Sequence, residues 1–476
     1  MRRIIPLLKS HLQAAVFLLC TAIIAAFTLP KYPGSALVYL IFTLVFQVLF
    51  LSGFRKNRIF FDLFAGFFLW MGFWAKLSGT LLLLNGWFVE PVGNFDFSGP
   101  AYDKTLLLAS CAALALLAAS FLRERIFSYA AVKADSPSVK ETEAYSGMRL
   151  RLWGAFVSVV LLMAVANIYL GIYQRGLPPR THLPSLLISG MTLLLLFGLA
   201  GVGTVLLQLE IKLRRNFALP AVLVLLESFF SNVSMLSRGM ILNGSAVLMG
   251  GWDTLRRYSI RLGFFSTTGF AALFVALFAA SIAAVNYLRA EKFSAAPSPP
   301  SVNITEVTPF HSFICRWVGL EGVMGVSSFP DKGWPLFKEA LTERFQSTGT
   351  SFYDRRLVKD SPYRREGIEE KHFITLPGLV AFLYYPGSVI FLFAGVFLAA
   401  LVAAGFEYFA FAASGRNLIF SALIGQIIAS RYAHFGYAPG RTVLLFGGIL
   451  LVSLGAWLFG YMLLRHKVAP SDKGGT

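Results

Sequence analysis

Residues 185–208 read SLLISGMTLLLLFGLAGVGTVLLQ, and this stretch carries no charged side chain. A helix of that length spans a hydrocarbon layer of about 30 Å. Residues 13–29 form a second run of this kind, and further runs lie at 35–53, 59–85, 104–122, 153–173, 217–233, 239–252, 263–287, 385–412, 417–430 and 442–464. Backbone polar groups in lipid have to be satisfied within their own segment, so these runs are expected to be helices. The expected fold is an all-α polytopic transmembrane bundle of about twelve spans, with 239–252 and 417–430 the shortest. The chain is 56% hydrophobic and 14% charged, too apolar for a water-soluble domain of 476 residues, which needs a largely polar surface.

The net charge of +18 first suggests nucleic acid, but its distribution points elsewhere. With the N-terminus inside, the cytoplasmic segments are 1–12, 54–58, 123–152, 209–216, 253–262, 413–416 and the tail from 465. They hold 22 Lys and Arg against 7 Asp and Glu. This is the positive-inside pattern, and it predicts both termini in the cytoplasm. The basic excess then reports topology and contact with membrane lipid, not nucleic acid. Met1-Arg2-Arg3 before an apolar run resembles a signal peptide, but an uncleaved first helix is expected, because no convincing small-x-small site precedes Pro30 and more spans follow. Cys20, Cys111 and Cys315 suggest neither a disulfide framework nor a metal site, the histidines lack metal-ligand spacing, and no phosphate loop or dinucleotide fingerprint occurs. No cofactor is expected.

The whole chain, 1–476, reads as one transmembrane domain with two insertions. Segment 123–152 is polar and mixed in charge, a cytoplasmic connector. Segment 288–373 is a long outer loop, nearly balanced at 12 basic and 11 acidic residues, and a loop of that size is expected to carry structure or function. Within it, Phe310, Phe313, Trp317, Val318, Leu320, Val323 and Met324 recur at helical spacing. A second helix is expected after Asp331-Lys332-Gly333, with Trp334, Phe337, Leu341 and Phe345 on its apolar face, lying on the bilayer or the bundle. No internal repeat is visible.

Ionisable groups at membrane depth are costly. Lys76 and Glu227 both lie in spans, where they can form a structural ion pair or serve function; Asp62 and Glu407, nearer the cytoplasmic ends, read as structural or solvated. The outer ends hold Ser237-Arg238-Gly239, the segment Arg316-Trp317-Val318-Gly319-Leu320-Glu321-Gly322, and the stretch from Arg431 through His434 and Tyr437 to Arg441. Outer arginines run against the topological bias. Their planar forks match phosphate oxygens, so Arg238, Arg316 and Arg431 suit a lipid diphosphate unless they only cap helices. Trp317, Tyr384, Tyr385, Tyr432 and Tyr437 either stack on sugars or belong to the interfacial aromatic belt.

On these three outer segments, and on a plan of many spans with one long outer loop late in the chain, the protein resembles the bacterial oligosaccharide repeat-unit polymerases of the Wzy type, which make O-antigen and exopolysaccharide. The resemblance implies a metal-independent glycosyltransferase at the periplasmic face of the inner membrane. It would move a growing glycan from undecaprenyl diphosphate onto a lipid-linked repeat unit, and a chain-length regulator protein could be its partner. Glu321 would then be the first candidate general base and His434 the second. Arg238, Arg316 and Arg431 would hold the diphosphate, and Lys76, Trp317 and Tyr437 would complete the glycan site. An O-antigen ligase shares this plan, and a non-enzymatic flippase or polysaccharide exporter is the third reading.

Overall fold

The computed structural model describes residues 4–88, 90–129, 139–177, 179–181, 183–214, 217–237, 239, 241–260, 262–293, 317–346, 349–358 and 374–465. Arg238, Arg316, Phe310, Phe313 and Cys315 lie outside the described residues, as does the Asp135-Ser136-Pro137-Ser138 stretch of the connector. Every described element is helical, and no β-strand occurs among the described residues.

Sixteen helical elements are used below. They are α1 (Ile4–Thr28), α2 (Ala36–Ser52), α3 (Phe60–Leu83), α4 (Gly99–Ile126), α5 (Val139–Leu170), α6 (Leu186–Leu213), α7 (Ala218–Ser234) and α8 (Ile241–Arg257). Then come α9 (Phe264–Phe293), α10 (Leu320–Ser328), α11 (Trp334–Leu341), α12 (Phe352–Arg356), α13 (Gly378–Leu383), α14 (Val389–Ala413), α15 (Leu418–Ala433) and α16 (Arg441–Arg465).

Among the described residues eight helices are long and apolar enough to cross a membrane: α1, α3, α4, α5, α6, α9, α14 and α16. Helices α2, α7 and α15 are apolar but shorter, and α8 ends in the charged run Asp253 to Arg257. Length and apolarity thus give eight candidate crossings. The other four of the expected twelve belong to the topology proposed below. The exposed faces of the long helices are apolar: Phe27 on α1, Leu162 on α5, Phe265 on α9 and Ile390 on α14 all project outward. In water such faces would form large apolar patches, whereas lipid solvates them.

The chain divides into two compact units. Unit 1 comprises residues 1–129, 302–404 and 428–443. Here α2 packs on α3 and α4, and an aromatic ladder, Phe17, Phe50, Trp70 and Trp74, fills the space between α1, α2 and α3. The short 53–59 link is pinned from α4. Arg123 pairs with the buried Asp62 and donates to the Asn57 carbonyl at 2.6 Å, so Asp62 is structural. The link after α1 is held similarly, Tyr32 Oη and Ser35 N both donating to Asp103, at 2.8 and 2.9 Å.

Unit 2 comprises 130–301, 405–427 and 444–476. Helix α7 packs on α5, α6, α8 and α9 around a core that includes Trp153, Phe156, Leu206 and Val224. Two buried carboxylates are held by neighbours: Glu210 accepts from Tyr145 at 3.0 Å and from Arg149 and Trp153, and Glu227 accepts from Ser231 at 2.7 Å. Glu227 therefore does not provide the partner of Lys76 that the sequence suggested.

Candidate functional site

The site in unit 1 begins at an irregularity in α3. Residues Trp70–Ala75 form a π-helical turn, and Lys76 follows at once. Such turns insert a residue and re-aim what comes next, and they are frequent at functional sites. The turn contains Gly72, whose backbone lies directly against Val318 and Gly319. A Cβ on Gly319 would come 2.6 Å from the Gly72 oxygen. Only glycine at both places lets the 317–319 backbone approach this closely. Trp317 stacks on Phe68, centroids 5.6 Å apart, and its carbonyl accepts from Lys76 Nζ at 2.7 Å.

The chain then enters α10, whose first turn carries Glu321. Nζ of Lys76 lies 2.6 Å from Oε1 of Glu321, and both side chains are almost fully buried. Helix α10 is set by two further glycines: Gly322 abuts the Pro377 carbonyl, and Gly325 abuts the Tyr353 hydroxyl. At the other end Lys104 and Lys332 both donate to the Ser327 carbonyl, at 3.3 and 3.1 Å, placing cations where the helix exposes its last carbonyls. Burial raises the Glu321 carboxyl above its ordinary range, and the Lys76 charge opposes that shift.

A cavity of about 100 Å³ opens over this pair, walled by Lys76, Glu321, Trp317, Glu90 and Thr375 among others. Glu90 is on the 84–98 link, which Gly93 (φ 61°) turns tightly against Leu357. The Thr375 wall is fixed by Asp354, which accepts from Thr375 N at 3.0 Å and caps α12 through Ser351. On the far side of Val318 and Gly319 lies a second, smaller cavity of about 40 Å³. Its walls are apolar and aromatic, with Phe61, Phe68, Leu116, Val396 and Tyr432 prominent. A polar chamber and an apolar chamber thus share one thin backbone wall.

Lys76, Trp317 and Glu321, singled out in the sequence, come together. Arg431, His434 and Tyr437 form a separate cluster at the end of α15. Arg431 Nε donates to Thr442 Oγ1 at 3.0 Å, and His434 Nδ1 lies 2.9 Å from the Ser430 carbonyl. Tyr437 Oη donates to the Gln346 carbonyl and accepts from its N–H, both at 2.8 Å, and Arg441 lies over the Phe345 ring. This cluster ties the 434–441 turn to the 342–346 segment. It meets the wall of the first site through Gly378 N, which donates to the Phe435 carbonyl at 3.0 Å. Tyr384 and Tyr385 are buried, Tyr385 against Phe382, so they pack the interior and do not line a belt.

Glu90, Thr375 and Pro377 escaped the sequence reading. They sit in aperiodic links, and no spacing connects them to residue 321. Among the described residues no three His, Cys, Asp or Glu side chains gather in a metal-binding group. No protein-family model matches the chain, nor does any curated protein or solved structure.

Proposed function

We propose that this chain is a membrane glycosyltransferase that joins undecaprenyl-diphosphate-linked oligosaccharide repeat units at the outer face of a bacterial inner membrane. In this reading it crosses the bilayer about twelve times, keeps both termini in the cytoplasm and places 288–373 outside. What supports the reading most is the shared wall between the two cavities. A lipid-linked sugar presents a polar, charged head beside an apolar chain, and Val318-Gly319 stands between a small polar pocket and a small apolar one that match those two characters.

The chemistry follows from the buried pair. Glu321 takes the proton of the acceptor hydroxyl as that oxygen bonds to the anomeric carbon. The bond from that carbon to the diphosphate breaks, and its electron pair leaves with the diphosphate. Once Glu321 is neutral, its oxygen no longer offsets the Lys76 charge 2.6 Å away, so the positive field at the site is greater as negative charge grows on the leaving group. Stabilisation that appears only in the transition state accelerates the step. Arg238 and Arg316 are the proposed anchors of the diphosphate.

The test is the polymer ladder made by a deletion strain carrying each variant, normalised to membrane-inserted protein. Glu321→Gln should lower output by about a hundredfold or more, and Glu90→Gln should shorten the ladder less. Full ladders from Glu321→Gln at normal abundance would overturn its role. The strain itself separates the readings. A single unit attached to its acceptor without the protein fits a polymerase, lipid-linked polymer that is never attached fits a ligase, and repeat units trapped on the inner face fit a flippase.

A further inference from the structure

Unit 2 holds a group of cations that glycosyl transfer does not use. Three segments meet there. Asn167, fully buried near the end of α5, donates from Nδ2 to the Tyr173 and Ser234 carbonyls, each at 2.9 Å. It also accepts from Tyr173 N at 2.8 Å, which clamps the 171–177 link to the end of α7. Arg175 N donates to the Met235 carbonyl at 2.9 Å, and Nε of Arg289, near the end of α9, donates to the adjacent Leu236 carbonyl at 3.0 Å. Lys292 Nζ donates to Gln174 Oε1 at 3.0 Å, and Arg180 N to the Gly171 carbonyl at 3.1 Å.

The result is a crowd of like charges. Arg175 is near enough to Arg289, and Arg180 to Lys292, for each pair to repel. The nearby acid is the exposed Glu291. None of the ion pairs formed among the described residues uses these four cations. Gathering four positive charges on a buried Asn and Gln scaffold costs free energy. The topology read from the charges puts this end away from the cytoplasm, where basic residues are otherwise scarce. A multiply charged anion would offset the repulsion, and guanidinium forks match phosphate oxygens. The depth indicates how that anion arrives. Arg289 and Lys292 occupy the last turns of a membrane-crossing helix, and the strongly exposed Tyr169 and Tyr287 flank them. Tyrosines so placed mark the headgroup level.

We propose that Arg175, Arg180, Arg289 and Lys292 form a recognition site for the phosphate group of a membrane lipid. The proposal stands apart from the glycosyl transfer reading and survives its failure. Its test uses the purified full-length protein in neutral detergent, following the thermal unfolding midpoint on titration with dioctanoyl phosphatidic acid, dioctanoyl phosphatidylcholine or inorganic phosphate. Phosphatidic acid should stabilise saturably, and phosphatidylcholine should not. The exposed pair Arg175→Gln with Arg180→Gln should keep the lipid-free midpoint and weaken phosphatidic acid binding by about tenfold, the effect of losing charge-assisted bonds. Arg289→Gln with Lys292→Gln should do the same. Equal stabilisation by the two lipids, or wild-type binding by the first pair of substitutions, would overturn the site. Inorganic phosphate acting at the same concentration as phosphatidic acid would overturn the lipid as its source.

Discussion

Lys76 and Glu321 each surrender hydration to meet at 2.6 Å. Removing one partner of a buried pair strands the other charge and costs about 3–5 kcal/mol, whereas replacing both with apolar side chains is often close to neutral. Lys76→Met alone should therefore lower the unfolding midpoint, and Lys76→Met with Glu321→Leu should recover most of the loss. If the pair serves chemistry, the recovered double variant makes no polymer. Polymer output that tracks stability through both variants would reduce the pair to a structural brace. The pH dependence carries a sign. The base acts when deprotonated, so activity falls as pH drops through the Glu321 pKa, which burial has raised. The sequence marked Lys76 as costly at membrane depth and offered Glu321 as a candidate base, but it could not name their partnership, because Lys76 meets a segment 241 residues away at Trp317. Arg431 and Tyr437 suited a ligand by type. In the fold Arg431 Nε donates to Thr442 Oγ1, and Tyr437 Oη donates to the Gln346 carbonyl, 91 residues away in the chain.

At the scale of elements, close backbone approach matters more than side-chain contact. The π-helical turn of α3 and the short α10 meet through Gly72 and Gly319, and α10 meets Pro377 through Gly322. A methyl group at Gly322 would overlap the Pro377 carbonyl, a rigid neighbour. Gly322→Ala should thus cost about 1–3 kcal/mol by overpacking, read as a lower unfolding midpoint. Gly405→Ala on α14 is the control. Nothing lies within 4 Å of its Cβ, and removing a glycine from a helix interior should be neutral or slightly stabilising. An equal loss from both would show that α10 is not seated as described. Helix α11 divides its apolar residues between the fold and the exterior, where a bilayer surface can take them. The sequence placed Trp334, Phe337 and Leu341 together on the apolar side. In the fold Leu336 and Ala340 are buried, and Trp334 and Leu341 are exposed. Helix α11 is only eight residues long, and Phe337 is held between Phe382 and Phe391, which lie elsewhere in the chain. Over so few turns the tertiary neighbours, not the period, select the buried face.

For the whole molecule, the apolar exterior and the charge bias make one joint prediction. In a variant with Cys20, Cys111 and Cys315 replaced, a cysteine at Ser301 should react with an impermeant thiol reagent added outside the cell. A cysteine at Ser138 should react only after the membrane is opened. The reverse pattern would invert the topology and remove the site from the outer face. The weakest spans in the sequence have a plain physical account. Helix α15 is short and buried on nearly every side, with Ile419, Phe420, Leu423 and Ile428 fully enclosed. A helix that is apolar all round is a core helix, and it need not match the thickness of lipid.

Composition and run length alone determined that this is a helical membrane protein, because uncharged stretches such as 185–208 have no other stable solvent. They also marked where charge is costly, at membrane depth and in the arginines at helix ends. Only the tertiary structure decided which of those charges meet. It chose Glu321 over Glu227 as the partner of Lys76, and it brought Glu90 into the same cavity. It also gathered Arg175, Arg180, Arg289 and Lys292 at one end of unit 2. The reason is geometric. Periodicity fixes a residue's position around its own helix, while ion pairs and cavities depend on the glycine contacts and buried amide clamps that set one segment against another.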